Sequence, residues 1–177
     1  MNNDGSDKPY FKHLRWIAGG AFAGAWWVKN RVEESKKSRA ERDDPEGVRE
    51  VCGEIAKVLD EWKADDECET EDEFVYDLAD YLKENIDWEV EVQPHTPHGK
   101  PTILVGDLLA LELKLSPNKG VCDSVVGWCA DYSKQWVTWI VFIEASPSLV
   151  RHLEALLIDK SLERILVWLF SYNELEA

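Results

Sequence analysis

The sequence predicts an α/β protein whose mixed central sheet has its elements in the order α-β-β-β-α-β-α-β, preceded by an apolar amino-terminal segment. Two patterns predict this class. Short apolar or alternating runs indicate strands, and the segments between the later runs carry apolar residues at helical spacing. Strands that follow one another directly favour antiparallel pairing, whereas strands joined through a helix favour parallel crossovers. Together the two kinds of connection predict a mixed sheet with helices on both faces.

The amino-terminal segment contains an uncharged run, Trp16 to Val28, that is apolar all round. This pattern predicts a helix. Crossing a bilayer takes about 20 such residues, and a shorter run is more often a buried or interfacial helix. Gly20 and Gly24 nevertheless form a G-x-x-x-G face that is typical of membrane helices. We therefore expect residues 14–28 to be either a short membrane anchor or a packed helix.

The charges beside this run predict how the chain is organised. Basic residues from Lys29 to Arg42 favour a cytoplasmic position for the following domain under the positive-inside tendency. We therefore expect a cytoplasmic protein, or a membrane-associated one whose carboxyl-terminal domain lies in the cytoplasm. The mixed run of acidic and basic residues before residue 44 indicates a linker. The prediction is an apolar helix with a charged linker over 1–43 and one main domain over 44–177.

Two helices are predicted to open this domain. Asp44-Pro45 begins the first, because proline is favoured in the first helical turn, and apolar residues at helical spacing continue to about Trp62. Thr70 and Glu73 form a capping box that begins the second helix after an acidic break.

The remaining elements follow in order. Apolar and polar residues alternate from Trp88 to Gln93, which predicts a strand with one solvated face. A loop then leads into a hairpin. After it the sequence predicts a helix, a fully apolar strand, a second helix and a last strand, over about 122–135, 136–143, 147–160 and 165–170.

The hairpin register decides where the side chains of Thr102 and Glu112 point. A three-residue loop of Gly106, Asp107 and Leu108 pairs Val105 with Leu109 and places Thr102 opposite Glu112 on one face. A two-residue turn would place them on opposite faces. A shared site requires the first register.

Glu112 and Lys114 stand out because they are charges within an apolar strand. Residues two apart on a strand share a face, so both point away from the face filled by four leucines, Leu109, Leu111, Leu113 and Leu115. Burying a charge is costly unless it is paired or binds a metal. The pair is therefore the candidate functional centre.

The frame formed by Pro101, Thr102, Glu112 and Lys114 resembles the signature of the PD-(D/E)XK nuclease superfamily. The resemblance covers about residues 70–143 and includes the element order. It implies a restriction-endonuclease-like fold. Thr102 occupies the place of the metal-binding aspartate in that family.

Further positions match the same family. Glu73 corresponds to a carboxylate that many members carry on the helix before the first strand. Gly127, Trp128 and Tyr132 take the places of a Gly-Gln pair and a following Tyr, so Trp128 departs from the family pattern and Tyr132 retains it. The resemblance therefore implies catalytic positions at Glu112, Lys114, Thr102 and Glu73, with Trp128 and Tyr132 in support.

These positions predict an impaired metal site. In the family, carboxylates hold Mg²⁺ beside the scissile phosphate and the lysine positions the attacking water. A threonine hydroxyl is a neutral and weak ligand, which leaves Glu112 and Glu73 as a weak metal pair. We therefore expect a catalytically impaired nuclease-like domain that serves as an interaction or scaffold module. The alternatives are an active Mg²⁺-dependent DNA endonuclease that hydrolyses phosphodiester bonds, and an unrelated α/β binding protein with a structural Glu-Lys pair.

Net charge bears on the partner. The chain has 35 acidic and 20 basic residues and a formal charge of −15. Phosphate binding depends mainly on lysine and arginine, so this balance opposes general adhesion to nucleic acid. A nucleic-acid role would need a local basic patch. For a non-catalytic domain, a protein partner is expected.

Overall fold

The computed structural model describes residues 11–16, 37–65, 67–162 and 165–170. The strands are β1 (Phe11–Trp16), β2 (Val90–Val92), β3 (Ile103–Val105), β4 (Leu109–Leu115), β5 (Val137–Ile143) and β6 (Leu166–Phe170). The helices are α1 (Arg39–Asp43), α2 (Pro45–Glu61), α3 (Glu71–Asn85), α4 (Lys119–Gln135) and α5 (Pro147–Asp159).

The sheet is mixed, which confirms the predicted α/β class. Strands β2, β3 and β4 pair antiparallel, and β4, β5 and β6 pair parallel. Each parallel connection passes through a helix, α4 or α5. At the far edge β1 pairs antiparallel with β6, which gives the spatial order β1-β6-β5-β4-β3-β2.

The predicted starts of both early helices are confirmed. The Asp44 side chain accepts a hydrogen bond from the Gly47 N–H at 2.8 Å, and Pro45 is the first residue of α2. Thr70 caps α3, and Glu73 completes the capping box by accepting from the Thr70 N–H. Such caps satisfy the N–H groups that a helix leaves free at its first turn.

The core has one apolar layer on each face of the sheet. The buried side chains of α2 and α3 pack with Leu109, Leu111 and Leu113 on one face. Those of α4 and α5 pack on the other face with Leu104 and Ala110. Because side chains alternate along β4, Glu112 lies on the same side as Ala110, toward α4.

The hairpin has the register that a shared site requires. Val105 pairs with Leu109 across the loop of Gly106, Asp107 and Leu108, so Thr102 and Glu112 lie on one face. Gly106 has a φ of 58°, and a Cβ there would lie 2.7 Å from Trp88 Cε3. The turn therefore needs glycine at this position.

The amino terminus differs from the prediction over residues 14–16, which belong to β1 and not to a helix. Trp16, expected to begin the apolar helix, is instead the last residue of β1 and pairs with Leu166. The remainder of the predicted helix and anchor, residues 17–28, lies outside the described residues, as does most of the linker. Among the helices of the described ranges, none is long and apolar enough to span a membrane. Ala40 of α1, before the expected domain boundary at 44, is buried in the core.

Candidate functional site

A cleft opens where the carboxyl end of β4 meets the first turn of α3 and the middle of α4. Its volume is about 470 Å³. Acidic, basic, polar and aromatic side chains share its wall, which is formed by Glu71, Val75, Gln93, His98, Gly99, Lys100, Thr102, Glu112, Lys114, Trp128, Asp131 and Tyr132. Five of the six candidate site residues are thus brought together, and Glu73 is not among them.

Glu112 is the most deeply buried acid of the cleft, with only 3% of its surface exposed. Its Oε1 lies 3.2 Å from Lys114 Nζ, whereas Oε2 has no hydrogen-bond donor among the described residues. Burial raises the pKa of this carboxyl, while the charge of Lys114 and the neighbouring hydroxyl and N–H of Thr102 oppose that rise. The site therefore holds a carboxylate that is only half satisfied.

Thr102 lies opposite Glu112 and is buried. Its hydroxyl oxygen is 3.4 Å from the Leu113 N–H, which can donate to it. The residue adds a neutral hydroxyl to the site where a carboxylate would add a negative charge. Asp107, the nearest acid on the hairpin, accepts a hydrogen bond from Trp136 Nε1 at 2.7 Å and does not line the cleft.

Lys114 joins two carboxylates. Its Nζ lies 2.7 Å from Glu71 Oε1 and 3.2 Å from Glu112 Oε1. Burial alone would lower the pKa of Lys114, but the hydrogen bond to Glu71 and the charges of Glu112 and Glu71 together raise it. The ammonium is therefore held in its charged form between the two acids.

The second carboxylate of the site is Glu71, which is not among the residues predicted from the sequence. Its Oε2 also accepts from the Leu115 N–H at 3.2 Å, which fastens α3 to the end of β4. Glu73 instead accepts from the Thr70 N–H at 2.8 Å and the Glu69 N–H at 2.9 Å. These backbone donors lower the pKa of Glu73, and its side chain stays at the helix start.

The sequence contains a pattern that argues against Glu73 as the second carboxylate of the site. A capping box uses the carboxylate at its fourth position, so Glu73 was already committed to the backbone of its own helix. The acids that remained in the first turn were Glu71 and Asp72. Spacing alone does not choose between these two, because the choice depends on the packing of α3 against β4.

Two aromatic residues of α4 form one wall. Trp128 is 46% exposed, and Lys114 Nζ lies 5.9 Å from its ring centroid. Tyr132 is buried, and burial together with the charge of Glu112 raises its pKa to about 12. Gly99 approaches this tyrosine so closely that a Cβ would lie 2.6 Å from its Cε1. Trp128 and Tyr132 therefore both line the cleft.

The donor set fits Mg²⁺ poorly. The part of the chain that the structure describes contains no group of three or more His, Cys, Asp or Glu side chains arranged to hold a metal ion. Glu71 and Glu112 could each offer an oxygen, but Lys114 already bonds to both. A divalent ion would have to displace that ammonium. On the hairpin, the hydroxyl of Thr102 is then the neighbouring group that could add a further ligand. Mg²⁺ gives up its bound water reluctantly, so these groups offer too little in exchange.

Comparison of the chain with protein-family models, with curated proteins and with solved structures finds no match in any of the three.

Proposed function

We propose that this chain is a restriction-endonuclease-like domain of the PD-(D/E)XK type whose metal-dependent catalysis is impaired, and that it serves as an interaction or scaffold module. One observation carries the proposal. Lys114 bonds to both Glu71 and Glu112, while Thr102 occupies the position where the resemblance implies an aspartate.

The charge of the centre explains the impairment. Two carboxylates and one ammonium leave a single net negative charge among these three side chains, and threonine adds none. Mg²⁺ needs hard, negatively charged oxygen ligands to offset the loss of its water. A second carboxylate at position 102, facing Glu112 across the hairpin, would supply the missing charge.

The element order supports the resemblance. From α3 to β5 the chain runs through a helix, three antiparallel strands, a helix and a strand parallel to β4. Glu112 and Lys114 lie near the carboxyl end of β4, and ligand sites in α/β sheets favour this end of the strands.

The surface favours a protein partner over nucleic acid. The cleft contains two lysines, Lys100 and Lys114, against three acids, and Lys114 is already paired. The formal charge of the whole chain is −15. Such a cleft repels phosphates more than it attracts them.

A second candidate is an active Mg²⁺-dependent endonuclease that hydrolyses phosphodiester bonds. Glu71 favours it, because this acid reaches the same lysine as Glu112 and could stand in for the missing aspartate. The two candidates differ in one measurable property, which is cleavage of DNA.

Plasmid cleavage with Mg²⁺ or Mn²⁺ separates them. We expect no nicking or linearisation by the wild-type protein above the level of Glu112→Ala prepared in the same way. Cleavage by the wild type that disappears in both Glu112→Ala and Glu71→Gln would refute the impaired-site proposal and favour the active enzyme.

A further inference from the structure

The unsatisfied carboxylate oxygen of Glu112 favours a ligand in the cleft that donates a hydrogen bond. Glu112 lines the cleft, and its Oε2 is buried with no hydrogen-bond partner among the described residues. A buried acceptor left without a donor has lost its hydration without gaining a hydrogen bond in return, and the cost is larger when the acceptor is charged. A ligand that donates to Oε2 would recover this energy.

The charges around the cleft favour a cation as that ligand. Glu71, Glu112 and Asp131 outnumber Lys100 and Lys114 in the wall. Lys114 shares its charge between Glu71 and Glu112, so Glu112 is not neutralised by a partner of its own. The strongly acidic chain adds a long-range attraction for basic partners.

The aromatic wall indicates which cation fits. Trp128 lines the cleft and is 46% exposed. A guanidinium group is planar, weakly hydrated and rich in N–H donors, so it can stack on an indole ring while it donates to a carboxylate. An ammonium group is more strongly hydrated and gains less from the same site.

We propose that the cleft receives an arginine side chain of a basic protein partner, whose guanidinium donates to Glu112 Oε2 and stacks on Trp128. This inference rests on the proposed interaction role and names the chemistry of the partner. It makes Glu112 a binding residue rather than a metal ligand.

The test uses the full-length protein and three capped tripeptides, acetyl-Gly-X-Gly-amide, in which X is arginine, citrulline or lysine. Citrulline has nearly the shape of arginine but no charge. Binding is followed by two-dimensional ¹⁵N NMR at the indole N–H of Trp128, assigned by its loss in Trp128→Phe. We expect a saturable shift with arginine, and at least tenfold weaker binding of citrulline and severalfold weaker binding of lysine.

Two variants and one control locate the site. Glu112→Gln should weaken arginine binding at least tenfold, and Trp128→Ala, at an exposed position, severalfold. Glu50→Gln removes the same charge on the exposed surface of α2, away from the cleft, and should change the affinity less than twofold.

Equal binding of arginine and citrulline, or equal effects of Glu112→Gln and Glu50→Gln, would overturn the proposal. So would the same Trp128 shift with inorganic phosphate or a single-stranded oligonucleotide in place of the arginine peptide. Failure of this inference is distinguishable from failure of the proposed function, because plasmid cleavage reports only on catalysis and the peptide titration reports only on the occupant of the cleft.

Discussion

Glu71 Oε1 lies 2.7 Å from Lys114 Nζ, so the first turn of α3 is fastened to the carboxyl end of β4. The same carboxylate accepts from the Leu115 N–H. This contact brings a helix acid to a strand lysine 43 residues away in sequence, and it places both beside Glu112. This contact identifies Glu71 as the second acid beside Lys114 in the cleft.

Replacing Glu71 tests this contact. Glu71→Gln should lower the pKa of Lys114, because the hydrogen bond and charge that raise it are lost. It should also reduce the free energy of unfolding by roughly 1 kcal/mol, since the acid is only partly buried. Glu73→Gln is the matched control, because glutamine retains the capping box. NMR titration of the Lys114 side chain measures the pKa, and equal effects of the two variants would contradict the assignment.

Lys114 should contribute to the free energy of unfolding mainly by pairing with Glu112. Lys114→Met leaves a buried carboxylate without its cation, which should reduce the free energy of unfolding by about 3 kcal/mol near neutral pH. Adding Glu112→Gln removes the stranded charge and should recover a large part of that loss. Lys134→Met breaks an exposed pair with Asp131 and should cost less than about 0.5 kcal/mol. Urea unfolding of the four proteins measures these values, and a double variant no more stable than Lys114→Met would refute the coupling.

The free energy of unfolding should depend on pH through the titration of Glu112. Its pKa is raised from 4.5 in the folded protein, mainly by burial, so folding favours the protonated form. The resulting stabilisation is complete below the unfolded pKa and is lost as the pH rises through the folded value. Between about pH 4 and pH 7, the stability of the wild type relative to Glu112→Gln should therefore fall as the pH rises. Urea unfolding across this range checks the sign, and an advantage that grows with pH would contradict it.

The hairpin turn should tolerate substitution poorly. Gly106→Ala would add a Cβ that meets Trp88 and would force a positive φ on a residue with a side chain. We expect a loss of roughly 1 to 2 kcal/mol in the free energy of unfolding. Gly53→Ala, in α2, should instead be neutral or stabilising, because its new Cβ meets no atom within 4 Å beyond its chain neighbours and the nearby backbone of its own helix. Similar losses in both variants would show that the turn imposes no special demand.

Much of the site could be predicted because it depends on local rules. The alternation of β4 places Glu112 and Lys114 on one face, and the short hairpin adds Thr102 through its register. These relationships follow from strand geometry and loop length. The same holds for the caps of α2 and α3, which depend on residues only three positions apart.

The rest depends on long-range packing, which local patterns do not encode. Glu71 joins the site because α3 crosses the end of β4, and the sequence offers three acids in that first helical turn. Trp16 fits an apolar helix by composition, yet it ends a strand that pairs with β6, more than a hundred residues later in the chain. Hydrophobicity predicts that a segment is buried, but it does not predict which element the segment pairs with.

Calorimetric titration of Mg²⁺ into the wild-type protein and Thr102→Asp decides whether the centre formed by Thr102, Glu112 and Lys114 fails to bind Mg²⁺ because it lacks a second carboxylate on the hairpin. In Thr102→Asp two carboxylates face each other across the hairpin, so the metal-free variant should be less stable than the wild type, and Mg²⁺ should relieve the repulsion. We expect saturable Mg²⁺ binding by Thr102→Asp and none at millimolar Mg²⁺ by the wild type. Saturable binding by the wild type that is abolished in Glu112→Ala would contradict this expectation.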